Sequence, residues 1–255
     1  MTQDFVSDLK SGKEIITAWS GIPHPLVSEA LLNAGYPTVT LDMQHGFHDI
    51  ASVLSSVTAC KMLGKRAIVR IPVGEWGTAS RVMDMGAAAV IAPMINTPED
   101  AMAFAAAMKY PPVGGRSWGP GRAMLIAGQP DQDSYLAKAN EESLAIAMIE
   151  TREALDNLDS ILAVPGIDGI FVGPSDVSVT FTDGEEIRQF GDRTIDVIGE
   201  IAERTIAAGK IPCIFTFLPD QLKLARSLGY RMFALNVDSG IIARGAAALL
   251  GEIAG

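Results

Sequence analysis

Cysteine is nearly missing from this chain: Cys60 and Cys213 are the only two among 255 residues. That excludes a disulfide framework and a thiolate metal site, both of which need more ligands at set spacings. Cys60 falls in an apolar helix-like run and Cys213 in a strand-like run, so both read as buried structural thiols. Long apolar runs are also missing. No uninterrupted stretch reaches the ~18 residues of a membrane span. The opening MTQDFVSDLKSGKE lacks the apolar core of a signal peptide, so a soluble, cytoplasmic protein with no membrane partner is expected. Positive charge is scarce: 20 Lys and Arg stand against 30 Asp and Glu, for a formal net charge of −10. This balance disfavours a nucleic-acid partner, yet permits an anionic small substrate in a locally positive pocket. No glycine-rich dinucleotide turn is visible, and no organic cofactor is expected.

What is present is a globular composition, 48% hydrophobic and 20% charged. Eight short apolar runs recur as strand candidates: Ile15–Trp19, Thr38–Asp42, Ala67–Ile71, Ala89–Pro93, Ala145–Ile149, Gly169–Gly173, Pro212–Phe217 and Met232–Val237. Helix-compatible segments lie between most of them. Several stop at a glycine, as Ile50–Leu63 does at Gly64, and one starts at Thr97-Pro98, a good N-cap with Pro at the first helical position. Strand–helix alternation repeated eight times, with strands apolar at nearly every position, predicts an α/β protein, a single (β/α)8 TIM barrel spanning 1–255. A doubly wound open sheet is the second choice. Two insertions, Tyr110–Asn140 and Pro174–Asp192, break the rhythm and are expected near the catalytic face. The alanine- and leucine-rich final helix is expected to cap the barrel or to pack on a neighbouring chain.

The residues with chemical potential sit at strand ends, which in such a barrel share one face. Glu150 and Asp176 follow consecutive strands, so their carboxylates become neighbours that repel unless a proton or a cation intervenes. Oxygen-only ligands suit Mg²⁺ or Mn²⁺, although an acid at a helix start is also favoured by the helix dipole alone. Arg70 ends a strand where a guanidinium can grip a carboxylate, or can pair with Asp42 or Glu150. His45, in the LDMQHG turn, is a candidate general base or acid. The GPSD turn, Gly173 to Asp176, offers backbone N–H groups to an anion. Trp19 is an aromatic wall or a core residue. No lysine ends a strand, which disfavours a Schiff-base mechanism.

LDMQHG, AIVRIP, IAPMI, YPPVGGRSWG, MIETREAL and GIFVGPSDVS occur in this order, and the set resembles the metal-dependent pyruvate aldolases of the 4-hydroxy-2-oxoheptanedioate and 2-keto-3-deoxyglucarate aldolase type. The resemblance runs from Trp19 to Asp238. It implies reversible aldol chemistry on a keto acid and an aldehyde with a divalent ion (Mg²⁺, Mn²⁺ or Co²⁺), in a homo-hexamer that exchanges its last helix. It also implies that Glu150 and Asp176 bind the metal and that Arg70 holds the keto-acid carboxylate. His45 moves a proton through a water supported by Asp42, and Ser175 and Asp176 meet the substrate through backbone N–H groups. Apart from the resemblance, Trp19, Phe215 and Phe217 are expected to border the substrate and to set donor choice through the pocket volume around them. The aspartate paired with the family's histidine maps onto Asp84, which lies on a helix running away from the mouth. Gln44 and Met148 depart from the family pattern of glutamate and glutamine. A lyase for malyl-type thioesters shares this plan but needs a basic coenzyme A surface; a non-catalytic metabolite-binding barrel is the other alternative.

Overall fold

The structure, a computed structural model, describes residues 5–254. It opens with α1 (Phe5–Lys10), β1 (Ile15–Ser20), α2 (Pro25–Asn33), β2 (Thr38–Asp42), α3 (Ile50–Met62), β3 (Ala67–Arg70) and α4 (Trp76–Met85). Then come β4 (Ala89–Ala92), α5 (Pro98–Met108), α6 (Gly121–Ala127), α7 (Gln132–Ala139), β5 (Leu144–Met148), α8 (Arg152–Asp156) and α9 (Leu158–Leu162). The remainder is β6 (Gly169–Val172), α10 (Pro174–Phe181), α11 (Asp192–Ala207), β7 (Ile211–Thr216), α12 (Pro219–Ser227), β8 (Met232–Val237) and α13 (Asp238–Ala254). The strands pair in parallel in chain order and close, β8 against β1. This is the (β/α)8 barrel, and every strand lies within one residue of its expected ends.

Closure explains why the strands are apolar on both faces. Ile68, Ile91, Ile146, Phe171 and Cys213 fill the barrel interior, while their chain neighbours Val69, Val90, Ala147, Val172 and Ile214 pack outward on the helices. Both cysteines are buried and unpaired, Cys60 on the helix side and Cys213 inside. Helix α1, in the segment that lacks a signal peptide's apolar core, buries Phe5, Val6 and Leu9 in the interior cluster. Apolar residues at i, i+1 and i+4 give that short helix one greasy face.

One expectation about the insertions needs correction. Tyr110–Asn140 does not reach the mouth of this chain. It follows helix α5, and an α-to-β connection in a barrel returns to the N-terminal face. There it forms a satellite of Tyr110, Ala123, Tyr135 and Ala139, with Trp118 beside Tyr110 at 5.2 Å and Ile126 seated on Gly86. Pro174–Asp192 does emerge at the mouth, where Pro174, Ser175 and Asp176 line the cavity. Its first half is helix α10, which starts as soon as β6 ends and so points its N-terminus into the mouth.

At the N-terminal face a buried lysine ties the insertion to the barrel. Lys109 Nζ donates to the carbonyls of Asn140 and Ser143, each at 2.8 Å, and pairs with Asp168 Oδ2 at 2.7 Å. Asp168 in turn accepts the N–H of Ala145, joining β5 to β6. Lys109→Met is expected to leave these acceptors unpaired and cost about 3 kcal/mol in urea unfolding. A loss under ~1 kcal/mol would show that the pair is not a structural anchor.

Candidate active site

The C-terminal ends of the strands surround a cavity of about 350 Å³ lined by Trp19, Asp42, His45, Arg70, Ser175, Asp176 and Phe215, among others. Its organising group is the Asp42 carboxylate. Oδ1 accepts from Arg70 Nε at 2.8 Å and from the N–H groups of Gln44 (3.0 Å) and His45 (3.4 Å). Oδ2 accepts from Arg70 Nη2 at 2.6 Å, from the Gly46 N–H at 3.0 Å and from Trp19 Nε1 at 3.2 Å. Burial alone would raise its pKa, but the Arg70 hydrogen bonds and charge, with the Gln44 and Trp19 donors, hold the carboxyl below the usual carboxylate range. These donors fill the lone-pair positions a carboxylate has. Through these bonds Asp42 locks β1, β2 and β3 together.

The register makes this possible. Asp42 and Arg70 are partners across β2 and β3, so both side chains leave the sheet at the same level. Arg70 also lies over the Trp19 ring at 4.9 Å, a favourable cation–π placement. Pairing with Asp42 and facing the cavity, left as alternatives by the sequence, both hold: Nε and Nη2 serve Asp42 and Nη1 is left for a ligand. Trp19 is likewise both buried and wall-forming, against Phe171 at 5.5 Å and Phe215 at 5.3 Å. His45 stands exposed on the cavity wall. Gln44 carries a buried Oε1 without a hydrogen-bond partner among the described residues.

Glu150 and Asp176 converge over Gly173. A Cβ placed on that glycine would stand 2.7 Å from Glu150 Oε2 and 3.4 Å from Asp176 Oδ2. Only a residue without a side chain lets both oxygens reach this point. Glu150 is buried, and its Oε1 accepts the N–H of Met94 at 3.0 Å. Met94 itself is held at φ 55°, a left-handed conformation rare for such a residue and typical of functional sites. Burial first, and the Asp176 charge second, push Glu150 up to about 7. A buried acid beside a second acid is relieved by a cation between them. The pair thus fits a hard divalent ion on its oxygen donors, other positions being left to water and substrate. Among the described residues no group of three or more His, Cys, Asp or Glu is placed to hold an ion.

Asp84 does not line this cavity. Near the C-terminal end of α4, it pairs with the buried Arg116 at 2.5 Å. Helices of a barrel run away from the mouth, so a role beside His45 needs a second chain. Sequence reading missed Asp238, which closes β8 and obeys the same strand-end rule as the residues it singled out. Its Oδ2 accepts from Ser20 Oγ (3.1 Å) and from the N–H groups of Gly21 (2.9 Å) and Ile22 (2.8 Å). Ser20 also meets His48 Nε2 at 3.1 Å. Gly21 then accepts the Phe47 N–H through its carbonyl at 2.9 Å, so this buried network sets the loop that carries His45.

The family model for HpcH/HpaI aldolase/citrate lyase matches residues 16–243. The chain is 38% identical over 204 residues to a hydroxypyruvate/pyruvate aldolase of Rhizorhabdus wittichii, covering 80% of each protein. It is 32% identical to a 4-hydroxy-2-oxo-heptane-1,7-dioate aldolase of Salmonella paratyphi C, over 98% of this chain and 94% of that one. A crystal structure of an HpcH/HpaI aldolase/citrate lyase family protein from Burkholderia cenocepacia superposes with TM-score 0.87 at 25% identity, covering 98% of this chain and 99% of that one.

The Asp42–Arg70 pair makes a pH-dependent contribution to stability. Because the folded-state pKa of Asp42 lies below its unfolded value of 3.8, the contribution is complete above that value and is lost as pH falls through the folded one. Asp42→Asn is expected to cost about 3 kcal/mol at pH 7. Its gap to the wild type should narrow as the solution is acidified through that window. Urea titrations at stepped pH check this, and a gap that stays constant on acidification contradicts it.

Proposed function

The chain belongs to the HpcH/HpaI aldolase/citrate lyase family and is a carbon–carbon lyase, and we propose that it cleaves and forms 4-hydroxy-2-keto acids, with pyruvate or hydroxypyruvate and an aldehyde as the other side of the equilibrium. The observation that carries this reading is the convergence of Glu150 and Asp176 over Gly173, one wall away from the Arg70 guanidinium. Glu150 and Asp176 would hold the divalent ion, Mg²⁺ or Mn²⁺ with Co²⁺ a further option, and the bound ion supplies Lewis acidity to the keto group.

The chain's own residues do the rest. The Ser175 and Asp176 N–H groups, at the start of α10, meet the keto-acid carboxylate, as helix N-termini do for anions. Arg70, fixed by Asp42 and stacked over Trp19, offers Nη1 to the negative charge that grows on the ketone oxygen. Because the guanidinium is oriented before the substrate arrives, little reorganisation accompanies the step. His45, exposed to the same cavity, moves the α-carbon proton by way of a neighbouring water and returns it in the opposite direction.

The surface supports an assembly. Helix α13 leaves Ile242, Leu249, Leu250 and Ile253 exposed, each at 58% or more. An apolar face of that kind marks an interaction surface, and we assign it to exchange between subunits of a homo-hexamer. Among the described residues no helix is long and apolar enough to cross a membrane. The reading places the enzyme in the cytoplasm, a reducing compartment that suits two unpaired thiols.

Pyruvate in D₂O is expected to exchange its methyl protons with the enzyme and Mn²⁺, and to stop exchanging after chelation. Arg70→Ala should slow exchange by on the order of 10²–10³, and Glu150→Gln should weaken Mn²⁺ binding measured by calorimetry. Exchange that persists in the presence of chelator, or in Arg70→Ala at the wild-type rate, rejects the mechanism. Leu249→Glu with Ile253→Glu should lower the mass measured by light scattering; an unchanged mass rejects α13 as the contact.

A further inference from the structure

The cavity is chemically divided. Asp42, His45, Arg70 and Asp176 stand on the side of β2, β3 and β6, with Met148 and Phe171 between them, whereas Ile22, Phe215, Phe217 and Val237 stand on the side of β1, β7 and β8, where Asp238 and Ser239 are the polar exceptions. The apolar side is built and fixed. Phe215 and Phe217 lie 4.8 Å apart, and Phe215 meets Trp19 edge-on at 5.3 Å. Phe47 stands at the lip, 80% exposed, with its backbone N–H held by Gly21. Phe215, Phe217, Val237 and Ile22 are each half-buried, so part of their apolar surface faces the cavity.

Charge runs the same way. Among the described residues lining the cavity, Arg70 is the only lysine or arginine. Its Nε and Nη2 are committed to Asp42, and the keto acid of the proposed reaction takes the remaining nitrogen. On the phenylalanine side the charged lining residue is Asp238. An anionic group there would lose its hydration without gaining a cation, a large penalty, while an apolar tail would cover the exposed rings.

Resting on the aldolase reading above, we infer that the carbonyl co-substrate is an aldehyde with an uncharged, branched or aromatic tail. Phe215 and Phe217 select it against aldehydes ending in a carboxylate or phosphate. The site therefore has one anion-binding half, for the keto acid, and one apolar half.

The test uses the metal-loaded enzyme with pyruvate and a matched pair of aldehydes. 4-Methylpentanal and succinic semialdehyde share a chain and differ by an isopropyl group in place of a carboxylate. The wild type is expected to favour 4-methylpentanal in kcat/KM by at least about tenfold, given that single apolar contacts discriminate by about 10–200-fold. Phe217→Arg should move that ratio toward succinic semialdehyde by about tenfold or more. Equal or reversed preference in the wild type overturns the inference, and this comparison stands even if the variant fails to fold. A folded Phe217→Arg with an unchanged ratio overturns the assignment of the wall. Deuterium exchange into pyruvate without aldehyde separates the two levels: exchange with no aldehyde preference sinks only this inference, whereas no exchange sinks the aldolase reading and this inference together.

Discussion

The mouth of this barrel depends on one buried carboxylate. Asp42 ends β2 and accepts hydrogen bonds from a tryptophan on β1, an arginine on β3 and three successive backbone N–H groups of its own turn. A charge removed from water in this way is tolerated only when its lone pairs are filled and a counter-charge is adjacent. Arg70 meets both conditions. In return the arginine is held at a fixed height above Trp19 with one nitrogen left over, and the loop bearing His45 is pinned at its root. Stability and the orientation of the side chains at the mouth thus come from the same contacts.

The opposite wall works by tension. Glu150 and Asp176 are brought to one point by Gly173, in a place where burial and mutual repulsion disfavour double ionisation. Met94 accepts a left-handed backbone so that its N–H can steady Glu150. Such an arrangement is costly in isolation, and the proposed divalent ion would relieve it. The two walls divide the labour: one is saturated and rigid, the other is poised for a positive charge.

The barrel and its mouth were largely legible in the sequence because a closed parallel sheet leaves a simple trace. Strands buried on both sides are continuous apolar runs, and the first polar residue after such a run must face the mouth. That reasoning reached Glu150, Asp176, Arg70, Asp42 and His45. It should also have reached Asp238, whose neighbour Ser239 makes the end of β8 read as an ordinary helix start. The position of Tyr110–Asn140 was misjudged because length and glycine content say that a connection is long, not which end of the barrel it leaves.

Sequence alone determined the order of strands and helices, and with it the face on which the acids, the arginine and the histidine gather, since hydrophobic periodicity and chain connectivity are local properties. Which atoms meet was decided only in three dimensions. The register of β2 against β3 gave Arg70 to Asp42, the missing side chain of Gly173 let two carboxylates converge, and the direction of α4 carried Asp84 to Arg116 and away from His45. Register, clearance and helix direction depend on how all eight strands close at once, which no segment of the chain encodes by itself.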